Sequence, residues 1–172
     1  MSMPFQAGQR LTAAELNALA PQSAVLATSQ TVNSTSPAAV SGFSFAVTED
    51  VTYLGYAWIV VDANSGGTGE FRWTGPASPS LLVMGIETQQ TASNDVYQVA
   101  TVSNSTGYNS GFLDSPSGSE AYSTAFYIVQ LWITITPASS GTLALECANV
   151  EGGSDTFNLY PGSWATLTQV LS

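Results

Sequence analysis

The 172 residues include no lysine, no histidine and one cysteine. Without histidine there is no Ser-His or Cys-His pair to activate a nucleophile. Without lysine a Ser-Lys pair is excluded as well. A single thiol, Cys147, cannot form an intrachain disulfide, and zinc sites need clusters of Cys and His. Its setting, TLALECAN, is strand-like, so Cys147 reads as a small buried hydrophobe. There is no GxxxxGK and no GxGxxG. The chain therefore reads as a non-enzyme with no cofactor.

Positive charge is nearly absent too. Arg10 and Arg72 stand against twelve carboxylates, for a formal net charge of −10. Binding to phosphate backbones draws its affinity from Lys and Arg, so nucleic acid is excluded as a partner, and anionic membranes repel such a chain. Both Arg residues read as solvated or ion-paired. Charged residues make up only 8%, against ~25% in ordinary globular domains. No apolar run approaches the ~20 residues of a membrane helix. The opening MSMPFQAGQR lacks the basic start and apolar core of a signal peptide. The expectation is a product made in the cytoplasm, with no membrane insertion.

What is present is mostly strand. In GFSFAVTED, Phe43, Phe45 and Val47 alternate with small residues, the period-two pattern of a half-buried strand. VTYLGYAWIVVDAN, residues 51–64, is a long aromatic and β-branched run. Together with EFRWTG, across a Gly-rich SGGTG, it predicts a hairpin of 51–63 with 69–74. Phe71 and Trp73 share a face. LLVMGIET and DVYQVATVS are further strands, followed by the long polar stretch NSTGYNSGFLDSPSGS. AYSTAFYIVQLWITIT, residues 121–136, is the longest strand signal. Its Tyr127, Val129, Leu131, Ile133 and Ile135 form a wholly apolar face. The opposite face, with Ile128, Gln130, Trp132 and Thr134, is mixed. GTLALECAN, DTFNLY and SWATLTQVL close the chain. Turn signals recurring every ~8–12 residues favour a sandwich or barrel. The predicted fold is all-β: a two-sheet, jelly-roll-like sandwich of about eight to ten strands with a short N-terminal helix.

That helix lies in QAGQRLTAAELNALAP. Thr12 is the N-cap, Glu15 completes a capping box, and Leu11 with Leu16 forms a hydrophobic staple. Pro21 disfavours helical geometry at Ala20. Two turns are marginal alone, so the helix needs a surface to dock on. Residues 1–39 are expected to be an arm, a short helix plus a Ser/Thr-rich connector with room for edge strands near Ala24–Thr28 and Gln30–Asn33. Residues 40–172 are expected to be the β-sandwich body. Leu11, Leu16 and Leu19 are the candidate anchor residues of the arm. The alternative is that the helix packs back on its own sandwich.

Two motifs remain. Asp62, Asn64 and Glu70 around glycines resemble the front of a calcium loop, but the twelfth position is Trp73 where an EF-hand wants Glu, so a hairpin loop is favoured over a metal site. Exposed aromatics on β-sandwiches can stack on sugar rings. The tryptophans Trp58, Trp73, Trp132 and Trp164 lie in strand patterns and read as core or interface. Tyr108, beside Asn109 in the polar stretch, and Trp73 are the candidate glycan contacts. Strand edges are normally guarded by Lys, inward charge or Pro. With no Lys and few charges in its strands, this chain is expected to cover its sheet surfaces with neighbouring subunits.

The opening PFQAGQRLTAAELNAL resembles the start of structural virion proteins of tailed bacteriophages, especially those of actinobacteria. The end, GTLALECANVEGGSDTFNLYPGSWATLTQVL, is similar to the closing strands of phage-borne trimeric jelly rolls of the tumour-necrosis-factor type. The two stretches cover about a quarter of the chain. The resemblance implies a homotrimeric virion component (minor tail, fibre or capsid decoration protein) that binds other tail or capsid proteins through its arm. It brings no catalytic residues. The alternative function is a carbohydrate-binding, host-adhesion module that recognises cell-wall glycans.

Overall fold

The computed structural model describes residues 12–13, 20–64, 69–76, 79–90, 96–103, 113–114, 126–149 and 156–170. Twelve strands lie within them: β1 (Gln22–Val25), β2 (Gln30–Val32), β3 (Ala38–Val47), β4 (Tyr53–Asn64), β5 (Gly69–Thr74), β6 (Leu81–Gln90), β7 (Val96–Ser103), β8 (Leu113–Asp114), β9 (Phe126–Thr136), β10 (Gly141–Asn149), β11 (Thr156–Leu159) and β12 (Trp164–Gln169). Of the expected helix only Thr12 and Ala13 fall among the described residues, Ala13 in helical conformation.

The strands form two antiparallel sheets. The larger runs β1-β12-β4-β9-β6-β7, with β11 joined to β4 and β2 joined to β11; the smaller runs β3-β10-β5-β8. The pairing follows one rule. The first strand pairs with the last (β1 with β12), β3 with β10, β4 with β9, and β5 with β8. A long antiparallel ribbon wound so that its outermost strands meet and its inner pairs follow is the jelly roll, with its two Greek keys. β1 and β2 are successive segments of one interrupted strand, because they pair with β12 and β11, themselves successive along one edge of β4. The β6–β7 hairpin is an addition beyond β9. The described residues thus form an eight-strand jelly roll with one added hairpin, in keeping with the expected two-sheet, jelly-roll-like sandwich.

One sequence expectation is corrected. β4 and β5 are not a hairpin: β4 pairs with β9, β11 and β12 in the larger sheet, while β5 pairs with β10 and β8 in the smaller. Both strands alternate apolar residues, and a Gly-rich link marks a change of direction without specifying the partner. β4 is better matched by β9, which aligns with it over ten residue pairs from Tyr53↔Ile135 to Asp62↔Phe126.

The core sits between the sheets. Phe43, Phe45 and Val47 on β3 meet Phe71 and Trp73 on β5, and Val129, Leu131, Ile133 and Ile135 on β9 supply the opposing layer. Phe45 packs on Trp73 with ring centroids 6.3 Å apart, and Phe71 on Phe157 at 5.9 Å. Gly55 is needed on the core side of β4: a Cβ there would stand 2.6 Å from Ile133 Cγ2 and 3.1 Å from Leu167 Cδ1.

The interruption between β11 and β12 is bridged by one side chain. Ser163 is fully buried. Its Oγ accepts the N–H of Val60 at 2.9 Å and donates to the carbonyl of Tyr160 at 2.8 Å. Its carbonyl accepts the N–H of Leu26, in the matching gap after β1. A hydroxyl thereby replaces the missing rung of the ladder, which leaves no buried amide of β4 unpaired there.

Candidate functional site

An antiparallel sheet with one face on the core normally turns polar residues outward. The larger sheet does not. Its inward residues on β4 are Tyr53, Gly55, Ala57, Ile59 and Val61, and its outward ones are Leu54, Tyr56, Trp58 and Val60. The register sets these outward side chains in rows. Val25, Trp164, Trp58 and Gln130 form one row across β1, β12, β4 and β9, and Ser23, Thr166, Tyr56 and Trp132 form the next. Thr168, Leu54 and Thr134 form a third.

Several of these groups face solvent. Val25 keeps 65% of its surface accessible, Leu54 51% and Trp164 40%. Trp164 leans on Tyr56, ring centroids 5.4 Å apart at 43°, and the Tyr56 hydroxyl donates to Oε1 of Gln130. Across Gln22–Val25, Tyr53–Val61, Ile128–Thr136 and Trp164–Gln169 there is no Asp, Glu or Arg. In backbone register Asp62 pairs with Phe126 and Asn158, and Glu87 on β6 pairs with Gln130. The result is an uncharged, aromatic, partly open face on a protein of net charge −10. Such a patch marks an interaction surface.

The outer side of the smaller sheet differs. There Arg72 is ion-paired with Glu146, Nη2 to Oε2 2.5 Å and Nε to Oε2 2.7 Å. Its neighbours are small: Ser44, Ala46, Thr142 and Ala144. A half-exposed pair of this kind contributes roughly 0–1 kcal/mol.

Cys147 is buried and free. Burial, and then the neighbouring Glu146 carboxylate, push its thiol up to about 12, so it stays protonated and is no nucleophile at neutral pH. Among the described residues no group of three or more His, Cys, Asp or Glu is placed to hold a metal ion. No helix among them is long and apolar enough to cross a membrane. A half-open cleft of about 300 Å³, lined by Ala20, Gln22, Ala46, Thr48, Tyr53, Leu167 and Gln169, lies among the start of β1, the ends of β3 and β12 and the start of β4.

The candidate residues read from sequence fall as follows. Leu11, Leu16, Leu19 and Tyr108 lie outside the described residues. Trp73 is corrected as a glycan contact: it is 1% exposed and packs in the core against Phe45, so a sugar ring cannot reach it. Its indole N–H has no hydrogen-bond partner. The aromatic residues that do face outward are Trp164, Tyr56, Trp58 and Trp132. The signal for Tyr56 and Trp58 is the run YLGYAWIVV of 53–61, which lacks the polar alternation of a one-sided strand and so calls for cover on both faces.

Fold and face together define a jelly-roll β-sandwich with one uncharged aromatic sheet surface. No family model matches the chain, and no curated protein matches it. Among solved structures it is similar to a structure of the infectious bursal disease virus Gx strain, with TM-score 0.24, 10% identity, and cover of 87% of this chain and 39% of that one. It is also similar to the infectious bursal disease virus VP2 subviral particle, with TM-score 0.22, 8% identity, and cover of 88% and 41%. The chain thus spans about two fifths of the length of those viral chains. The fold assignment rests on the strand pairing.

Proposed function

We propose that this protein is a non-enzymatic structural component of a bacteriophage virion: a jelly-roll head that assembles as a homotrimer and is moored through its N-terminal arm to tail or capsid proteins. The observation that carries the reading is the aromatic outer face of β1-β12-β4-β9. Copies that each carry −10 repel one another, so association is favoured on a surface free of charge, and the strand segments of this face carry none. The resemblance of PFQAGQRLTAAELNAL to the start of tailed-phage virion proteins supports the mooring role. Each arm leucine buried on a scaffold yields roughly 1.5–3 kcal/mol, while ordering each residue costs ~1–2 kcal/mol. One arm is therefore weak, and three linked arms gain ~10²–10⁴ in avidity.

The test is the mass of the purified protein in solution, together with incorporation of a variant lacking residues 1–20 into particles. Three copies, and loss of incorporation on deletion, support the reading. A monomer at all concentrations, or normal incorporation without the arm, rejects it.

A second reading has its own observation. Trp164 beside Tyr56, with the Gln130 amide at hand, is a stacking platform for a pyranose ring. Saturable binding to host cell-wall glycan that is lost in Trp164→Ala, by a protein of single-copy mass, would favour a host-adhesion module.

A further inference from the structure

β3 is an edge strand of the smaller sheet. It is ten residues long, AAVSGFSFAV, without charge or proline. An edge like this offers its outward N–H and C=O groups to any passing strand, and proteins normally blunt it with charge, proline or a cover.

Here the blunting comes from two side-chain amides of the other sheet. Gln22 on β1 donates from Nε2 to the carbonyl of Ala46 at 2.7 Å and accepts the Ala46 N–H on Oε1 at 2.9 Å. Gln30 on β2 donates from Nε2 to the carbonyl of Ala39 at 3.1 Å and accepts the Ser41 N–H on Oε1 at 2.9 Å. A primary amide presents a donor and an acceptor side by side, as the backbone of an adjoining strand does. Gln22 imitates one rung of an antiparallel pair on Ala46, and Gln30 spans the Ala39 carbonyl and the Ser41 amide as one residue of a parallel neighbour would. The two contacts stand on either side of Gly42, whose φ of 80° marks the bulge in β3. All four bonds are open to solvent, within reach of a competing strand.

We infer that β3 is a latent pairing surface for β3 of a second copy, and that Gln22 and Gln30 keep it shut. The occupant is a second copy because the contact is self-complementary. Two β3 strands set antiparallel about a two-fold axis bring the Ala46 end of one to the Ala39 end of the other, and the same groups come free in both. No charge on either strand opposes the pairing. The clasp thereby steers association away from the sheet edge, and it does so whether or not the aromatic face trimerises.

The experiment compares full-length variants with wild type by light scattering over a hundredfold concentration range. The Gln22→Ala/Gln30→Ala protein is expected to keep its β-sheet circular dichroism. It should also form species heavier than wild type, at least tenfold more abundant at equal concentration. Gln22→Glu/Gln30→Glu keeps an acceptor at each contact and adds charge at the edge, so it should keep the wild-type mass. Adding Ser44→Lys, at an exposed position of β3, to the alanine pair should restore that mass. An alanine pair indistinguishable from wild type, or extra mass that Ser44→Lys leaves in place, overturns the inference. Should the alanine pair fail to fold, each single alanine variant is read the same way. Amide exchange in wild type then gives a direct measure: Ser41 and Ala46 exchanging as fast as unbonded edge amides would show that no clasp holds them.

Discussion

Leu54 stands in the third row of the aromatic face and keeps 51% of its surface open. Complete burial of a leucine is worth ~1.5–3 kcal/mol, so the open half corresponds to about 1 kcal/mol in each copy. A threefold assembly covers that surface three times. Leu54→Ala should then weaken association by about 2–3 kcal/mol, roughly 30- to 140-fold at ~1.4 kcal/mol per decade. Leu54→Asp should do more, by setting three like charges against one another. Neither change should disturb the fold of the subunit, because surface substitutions usually fall within about ±0.5 kcal/mol. Sedimentation velocity across a dilution series reads the association, and thermal unfolding reads the fold. A second arm varies salt. Raising ionic strength from ~0.01 to ~0.15 M shortens the screening length from ~30 to ~8 Å. Copies of charge −10 that meet on an uncharged face should then associate more tightly. Leu54→Asp with wild-type mass at every concentration, or association that weakens with added salt, would refute the reasoning.

The remaining predictions concern the body. Cys147 has its thiol raised from 9.0 to about 12 by burial and Glu146, so the folded state holds the proton more tightly than the unfolded chain. That contribution to stability is complete below pH 9 and declines as pH rises toward 12. Wild type should lose about 1.4 kcal/mol more than Cys147→Ala between pH 8 and pH 10, measured by urea unfolding at each pH; parallel profiles would count against it. Ser163→Ala should strand the buried N–H of Val60 and cost about 1–3 kcal/mol, read as a lower urea midpoint with unchanged slope. Gly55→Val should destabilise by at least ~1–3 kcal/mol through overpacking against Ile133 and Leu167, read as a fall in Tm.

Local pattern carried much of the architecture. The alternation of Phe43, Phe45 and Val47, and the apolar parity of Val129 to Ile135, named the core faces, because side-chain direction in a strand depends only on period two. The edge segments near Ala24 and Gln30 were legible from their small polar composition. What failed was partner choice. Nothing within 51–74 reveals that β4 and β5 part company for different sheets, since pairing is decided by strands far along the chain, β9 for β4 and β8 and β10 for β5. Trp73 misled for a related reason. Its indole suits a sugar platform or a core equally well, and its shared parity with the buried Phe71 was the better guide. The outward aromatic face was present in the sequence as an apolar run with no polar alternation. Its geometry, four strands brought edge to edge in register, exists only once the ribbon is wound.

The first strand, β1, is wired into both sheets. From Ala20 the chain enters β1, whose ladder to β12 fixes it to one sheet, while the Gln22 amide ties the same strand to Ala46 in the other. A pull on the chain at Ala20 would load both sheets together, in shear along the β1–β12 ladder and through the Gln22 bonds to Ala46.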